Sequence, residues 1–200
     1  MTIPFKSGDD TYGDGSADRV LVIRNHLGGR VAVIITADEL CVEAGLALLD
    51  THDGFEIGER VETLLSSDTS EAIAKSMGLG LIGFAQAYAR RRPDILVVLG
   101  DRFEMHAAAL AALPFKIPVA HLFGGEVTQG AIDDSLRHSM TKLSHLHFVS
   151  TPEYARRVIQ LGEKPERVVV AGVLSLDNLN AIQLLGSSEL EARFGLRLDP

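Results

Sequence analysis

With 200 residues, 46% of them hydrophobic, the chain is long enough for one large domain with a buried core and too apolar to be mainly disordered. Its formal net charge of −8 at pH 7 argues against a nucleic-acid or membrane-surface partner, because both attract clustered Lys and Arg. The single cysteine excludes an intrachain disulfide, and no apolar run approaches the ~20 residues of a membrane span, so we expect a cytoplasmic protein.

The first segments of the chain do not follow a regular pattern. Residues 1–18 are polar and rich in Gly and Asp, which predicts a disordered tail before a single domain over residues 19–200. Two strand-like segments follow, at 20–25 and 31–37, with only five residues between them. Because two adjacent parallel strands need a much longer crossover, these segments either form an antiparallel hairpin or are not both strands.

Two helices and a short strand are predicted next. The helical pattern over residues 37–52 contains Cys41, which we expect to be a small buried thiol. The segment VETLL, at 61–65, is a possible strand. A long helix follows over residues 70–92, and its glycines suggest close packing against a neighbouring element. These glycines stand at positions 78, 80 and 83.

From Pro93 onward, strands alternate regularly with helices. Short apolar runs bounded by turn residues predict strands over 94–100, 117–123, 145–150 and 167–173. Helical patterns of 10 to 15 residues separate them, and another helix is expected from about Ser175 to Leu185. This alternation indicates βαβ units with right-handed crossovers. The predicted fold class is therefore α/β, a Rossmann-like parallel sheet flanked by helices.

Ligands of an open parallel sheet bind at the carboxyl ends of its strands, and this rule selects a small set of residues. In chain order they are Asp101, Arg102, Gly124, Gly125, Glu126, Ser150 and Gly172. Asp101 and Glu126 would flank one crevice if their strands are neighbours. Two carboxylates in one cleft can serve as general acid and general base. The alternative is that Asp101 only caps the following helix.

The helix predicted to start at Asp133 adds further ionisable side chains. Asp133 and Arg137 are four residues apart, as are Asp134 and His138, so each pair can meet on one helix face. The alternative is a capped helix with surface ion pairs of little energetic weight. A helix amino terminus that already carries acids is better suited to sugar hydroxyls or proton transfer than to an anion.

The histidines in the central strands do not indicate a metal site. His145 and His147 alternate along one strand, a spacing that could bind zinc, but no cysteine lies nearby. We therefore expect hydrogen-bonded histidines and no metal. His121 is expected to be half-buried, with its ring turned toward the crevice.

Several longer blocks of the sequence resemble a known enzyme family. They are SSDT, MGLGLIGF, GDRFE, GGEVTQGAIDDSLRH and TKLSHLHFVST. Over roughly Leu40 to Leu185 the chain resembles the hydrolysing UDP-N-acetylglucosamine 2-epimerases of sialic and legionaminic acid synthesis. The resemblance implies the amino-terminal half of a glycosyltransferase-B-like fold, whose active site lies between two Rossmann-like halves. The second domain of that fold has no counterpart in these 200 residues.

The resemblance also implies a reaction and a set of roles. The family removes the C2 proton of UDP-GlcNAc, expels UDP to give 2-acetamidoglucal, and adds water to the opposite face at C2 to give ManNAc. The implied ligand is UDP-GlcNAc or a related UDP-sugar, with no cofactor and no metal. Catalytic roles are implied for Asp101, Glu126 and Asp133. The implied substrate-binding residues are Arg102, Gly124, Gly125, Asp134, Arg137, His138 and Ser150.

Three departures from the family pattern leave two functions open. Position 123 is Phe where relatives typically carry a glutamate, and the arginine of the relatives' first loop has no clear counterpart. Without a second domain, apolar surface after Gly172 would be exposed, which favours a homo-oligomer. The chain is then either an incomplete or weakly active 2-epimerase, or a non-catalytic remnant or interaction module that retains the sugar-nucleotide-binding half-domain.

Overall fold

The computed structural model describes residues 18–26, 29–36, 57–63, 65, 67, 69–173, 176, 185–195 and 197. Three predictions lie outside these residues. They are the tail up to residue 17, the helix at 37–52 with its cysteine, and nearly all of the helix expected at 175–185.

The described residues form a seven-stranded sheet. The strands are Asp18–His26 (β1), Gly29–Thr36 (β2), Ile57–Glu62 (β3), Ile95–Leu99 (β4), Val119–Leu122 (β5), Leu146–Val149 (β6) and Val168–Val170 (β7). Their order across the sheet is β3-β1-β2-β4-β5-β6-β7. The strands β2, β4, β5, β6 and β7 run parallel to one another, which confirms the expected parallel sheet for this part.

The amino-terminal edge of the sheet is antiparallel. Strand β1 pairs antiparallel with both β2 and β3, so the hairpin is the correct one of the two alternatives for the first segments. The strand suspected at VETLL, residues 61–65, is confirmed only in its first two residues, because β3 begins at Ile57 and ends at Glu62. Only two residues connect β1 and β2, which leaves room for a hairpin turn and not for the crossover that parallel pairing requires.

Five α-helices occur in the described part of the chain. They are Ser70–Arg90 (α1), Phe103–Ala112 (α2), Ile132–Leu143 (α3), Pro152–Gln160 (α4) and Ser187–Phe194 (α5). The Thr69 hydroxyl caps α1 by accepting from the Ala72 N–H at 3.2 Å. Thr151 caps α4 in the same way, with its side chain accepting from the Tyr154 N–H. Helix α5 was not predicted.

The core lies between the sheet and helices α1, α2 and α3. Its largest buried side chains include Phe84 and Tyr88 of α1 and Leu96 of β4. Close packing is confirmed at two of the three glycines of α1, since an added Cβ at Gly80 would lie 3.2 Å from Cβ of Ala107, and one at Gly83 would lie 2.5 Å from Cγ1 of Val61. It is wrong for Gly78, where nothing lies within 4 Å.

Candidate active site

The loops that follow three neighbouring strands meet at one edge of the sheet. Leu99 at the end of β4 pairs with Leu122 at the end of β5, which in turn pairs with Phe148 of β6. The loops that start at Gly100, Phe123 and Ser150 are therefore adjacent. This is the carboxyl edge, where open parallel sheets bind their ligands.

A buried arginine joins the first of these loops to helix α3. The Arg137 side chain is 7% exposed, and its Nη2 donates to Oδ2 of Asp101 in a close ion pair. The same nitrogen donates to Oγ1 of Thr128 at 3.1 Å, while that hydroxyl donates to Asp101 at 3.2 Å. Asp101 is not the cap of α2, because the N-cap residue is Arg102 and no side-chain cap bond forms there. That alternative is wrong.

The same guanidinium also faces the second predicted acid. Nη1 of Arg137 lies 4.0 Å from Oε2 of Glu126, whose other oxygen accepts from the Ser150 hydroxyl at 2.7 Å. The sequence-based expectation that Asp101 and Glu126 flank one place in the fold is therefore met by the geometry. Glu126 is the more accessible of the two, with side-chain exposures of 32% and 20%.

The pairs expected within α3 form only in part. His138 Nε2 lies 3.4 Å from Oδ2 of Asp134, so that pair is confirmed. The pairing of Asp133 with Arg137 is wrong, because the buried Arg137 side chain turns to Asp101 across the sheet edge. Asp133 is partly buried in the first turn of α3, and no hydrogen bond or ion pair joins it to another described residue. Its catalytic role stays a prediction.

Two hydrogen bonds join the loop after β5 to the neighbouring helices. The backbone N–H of Thr128 donates to Oδ1 of Asp134 at 3.1 Å, which ties the loop to α3. Sequence reasoning did not select Thr128, and its only signal was its place inside the GGEVTQGAIDD block. Arg157 of α4 donates to the carbonyl oxygen of Gly125 at 3.3 Å.

The remaining predicted binding residues have local reasons for their identity. Gly124 and Gly125 are buried, and an added Cβ at either would lie 3.1 Å or less from another atom, so packing alone accounts for both glycines. Arg102 lies 3.2 Å from the buried carboxylate of Glu104. Whether these residues also contact a ligand stays a prediction.

His145 and His147 are hydrogen-bonded, as expected, although His145 lies just before β6 and not in the strand. His145 Nδ1 accepts from the Val119 N–H at 3.3 Å, and His147 Nε2 lies 3.1 Å from a carboxylate oxygen of Glu163. His121 is fully buried rather than half-buried, because its ring lies beneath the loops and not at their surface. Among the described residues, no group of three His, Cys, Asp or Glu side chains is placed to hold a metal ion.

Phe123 directly follows β5 and lies in the left-handed region, with φ at +64°. Its N–H donates to the carbonyl of Phe148 at 2.8 Å, which fixes the start of the loop. Phe123 also lines an apolar cavity of about 240 Å³ together with Val97, Ala120, Leu122, Phe148, Ala171 and Gly172. A phenyl ring cannot transfer a proton, so Phe123 itself cannot serve as an acid or a base.

Comparison with known proteins identifies similar sequences. The profile of the UDP-N-acetylglucosamine 2-epimerase family matches residues 23–197. A GDP/UDP-N,N'-diacetylbacillosamine 2-epimerase (hydrolyzing) of Campylobacter jejuni is 40% identical over 177 residues, which are 88% of this chain and 46% of that protein. A UDP-N,N'-diacetylbacillosamine 2-epimerase (hydrolyzing) of Legionella pneumophila is 37% identical over 147 residues, 74% of this chain and 39% of that protein. The chain thus spans less than half the length of these relatives.

Solved structures with the same fold are also found. The UDP-N-acetylglucosamine 2-epimerase of Rickettsia bellii gives a TM-score of 0.58 at 21% identity, covering 74% of this chain and 38% of that one. The UDP-GlcNAc 2-epimerase of Methanocaldococcus jannaschii, in complex with UDP-GlcNAc and UDP, gives 0.52 at 26% identity, covering 57% of this chain and 33% of that one. These similarities agree with a half of a glycosyltransferase-B-like fold. In the part of the chain that the structure describes, no helix is long and apolar enough to cross a membrane.

Proposed function

The chain belongs to the UDP-N-acetylglucosamine 2-epimerase family, and from this premise we propose that it carries proton-transferring groups of a hydrolysing 2-epimerase for a UDP-linked 2-acetamido sugar. In this reaction a base removes the C2 proton while the C1–O bond breaks and UDP leaves with the bonding electrons. The product is 2-acetamidoglucal, with a C1=C2 double bond. Water then places its hydroxyl on C1, and a proton reaches the opposite face of C2. The chemistry requires an acid and a base close to one sugar ring.

The observation that carries this proposal is the position of Arg137 between Asp101 and Glu126. Arg137 and Thr128 both donate to Asp101, which keeps that carboxylate fixed as the partner of the guanidinium. Glu126 is more exposed and 4.0 Å from the guanidinium, so it is better placed to exchange a proton with a bound sugar. We assign the anchoring role to Asp101 and the proton-transferring role to Glu126.

Inversion at C2 needs a second proton-transferring group, because the proton leaves one face and returns to the other. We assign this role to Asp133, which lies in the first turn of α3 and is not committed to another described residue. The remaining binding contacts are assigned to Arg102, the loop glycines at 124 and 125, Asp134, His138 and Ser150. No metal or redox cofactor enters this reaction.

The ligand proposed for this site is UDP-GlcNAc or a related UDP-sugar. Two similar proteins are named for UDP-N,N'-diacetylbacillosamine, and one similar structure holds UDP-GlcNAc and UDP. We further propose a cytoplasmic homo-oligomer. Leu99, Leu146 and Val169 lie on one face of the sheet by their register and are 45%, 38% and 48% exposed, which supports self-association.

The test is turnover of UDP-GlcNAc and of UDP-N,N'-diacetylbacillosamine by the chain in D₂O. We expect UDP release, with deuterium at C2 of the sugar product. Glu126→Gln and Asp133→Asn should each lower kcat by about 100-fold or more, since each removes one acid–base group. Asp101→Asn should also lower kcat, because it removes the carboxylate that anchors Arg137. The control is Glu71→Gln, at an acid with 76% exposure in the first turn of α1, which should leave kcat unchanged.

Two outcomes would contradict the proposal. Release of UDP without deuterium at C2 would mean simple hydrolysis of the sugar nucleotide. Binding of the UDP-sugar without any turnover would favour the non-catalytic remnant. The similarity to hydrolysing 2-epimerases does not favour that alternative.

A further inference from the structure

Asp101, Glu126 and Arg137 form a cluster at the carboxyl edge of the sheet. A buried histidine outside this cluster contacts both the turn before Asp101 and helix α3, which carries Arg137. His121 lies in β5, and its side chain is fully buried. Its Nε2 lies 2.8 Å from the carbonyl oxygen of Gly100, the residue before Asp101. Its Nδ1 lies 3.3 Å from Oγ1 of Thr141, one helical turn after Arg137 in α3. The imidazole ring therefore lies between the two segments whose side chains form the ion pair.

The partners of the ring define its protonation. A carbonyl oxygen can only accept, so Nε2 carries the hydrogen and donates to Gly100. Burial lowers the pKa of His121 to about 4, so the ring is neutral at pH 7 and Nδ1 accepts from the Thr141 hydroxyl. That hydroxyl also donates to the carbonyl oxygen of Arg137 at 3.1 Å, so its single hydrogen is shared between this carbonyl and Nδ1 of His121.

The loop that carries Glu126, the third member of the cluster, packs against the side chains of His121 and Thr141. An added Cβ at Gly124 would lie 3.1 Å from Nδ1 of His121 and 3.2 Å from Oγ1 of Thr141. Gly124 lies two residues before Glu126 in the loop. The His121–Thr141 contact therefore lies directly beneath the loop that brings Glu126 to Arg137.

We propose that His121 is a positioning residue, which holds the Gly100 turn and helix α3 at the separation at which Arg137 joins Asp101 to Glu126. It acts through one hydrogen bond on each side and not by touching the substrate. Its effect on turnover rests on the proposed function, whereas its effect on the Arg137 geometry does not.

The experiment compares two buried histidines that pair with each other across the sheet. His121 of β5 is in register with His147 of β6, and both side chains are fully buried, but His147 bonds to Glu163 instead. The readout is the ¹⁵N NMR signal of the Arg137 guanidinium in the full chain, assigned by its loss in Arg137→Lys. We expect His121→Leu to shift or broaden this signal and His147→Leu to leave it unchanged.

A second pair of variants keeps the test decisive if His121→Leu does not fold. Thr141→Val removes the hydroxyl at nearly constant shape and should change the Arg137 signal, whereas Thr141→Ser retains the hydroxyl and should restore it. An unchanged signal in Thr141→Val, or the same change in His147→Leu as in His121→Leu, would overturn the positioning role.

Turnover separates this inference from the proposed function. In a chain that turns over a UDP-sugar, His121→Leu should lower kcat by about tenfold or more relative to His147→Leu, with little change in KM, because misplaced catalytic groups mainly slow the chemical step. A changed Arg137 signal in a chain that turns over no UDP-sugar would support the positioning role and count only against the proposed function. A kcat that falls equally in both variants would contradict the positioning role.

Discussion

Two glycines beside the candidate site have the same left-handed backbone angle but differ in the space around them. Gly125 has φ at +80° and Gly130 has φ at +81°. An added Cβ at Gly125 would lie 2.5 Å from the carbonyl oxygen of Tyr154 in α4, whereas nothing lies within 4 Å of one at Gly130. Gly130→Ala therefore introduces only the strain of a left-handed residue, while Gly125→Ala must also displace a helix backbone.

These two substitutions separate the cost of strain from the cost of overpacking. Gly130→Ala should lower the free energy of unfolding by about 1 kcal/mol, and Gly125→Ala by about 3 kcal/mol or more. Urea denaturation of both variants measures the difference. Equal losses would mean that α4 moves away at little cost, and that the Gly125 contact does not fix the loop.

Individual residues also show how far sequence could predict the site. Asp101 and Glu126 could be selected because each follows a buried strand, and the ends of parallel strands share one edge. The partner of Arg137 could not be predicted from its spacing. Asp133 lies four residues away on the same helix, but the long guanidinium side chain reaches Asp101 on another element and becomes buried there. Such a choice depends on tertiary distances that no local pattern contains.

At the scale of elements, helix α1 offers a matched pair of glycines. Gly78 has free space around an added Cβ, and Gly83 has Cγ1 of Val61 at 2.5 Å from one. Gly78→Ala should raise the free energy of unfolding by about 0.5–1 kcal/mol, because alanine loses less entropy in a helix. Gly83→Ala should lower it by about 1–3 kcal/mol, because Val61 of β3 is forced from its packed position. Thermal unfolding of the two variants measures both changes. A higher free energy of unfolding in Gly83→Ala would show that Val61 and β3 can move away from the new methyl group without loss of packing.

The elements that sequence could define are those with a strong local signal. Helix α4 has a threonine cap, Pro152 in its first turn, and Gly162 after its end with φ at +94°, and it forms where these residues predict. The two first strands left two arrangements open, since their apolar pattern does not state a direction. The short connection excludes parallel pairing of the two strands. Whether both segments are strands depends on the rest of the fold, in which β1 also pairs with the distant strand β3.

At the scale of the whole molecule, burial lowers the pKa values of three histidines, two in the sheet and one in helix α2, and His121 of the sheet lies beneath the site. Burial is the main cause that lowers the pKa of His121, to about 4, and it also lowers the pKa values of His106 and His147, the last against the opposing effect of Glu163. The register of β5 and β6 places His121 and His147 on the same face of the sheet. It does not predict which hydrogen bonds compensate them, because those partners come from α3 and from the loops after β4 and α4.

These histidines make the stability of the folded chain depend on pH in a defined window. An unfolded histidine takes up a proton near pH 6.5, whereas His121 in the fold does so only near pH 4. Between these values the unfolded state binds more protons, so the free energy of unfolding falls as the pH falls, by about 1.4 kcal/mol per pH unit for one such residue. Glu59 and Glu163, whose pKa values are lowered by their ion pairs against the opposing effect of burial, add a further loss only below about pH 4.5. Urea denaturation from pH 7 to pH 4.5 should therefore show a slope that is reduced in His121→Leu. A slope that is the same in this variant would mean that His121 takes up its proton at the same pH in the folded and the unfolded chain, which would contradict a neutral buried ring.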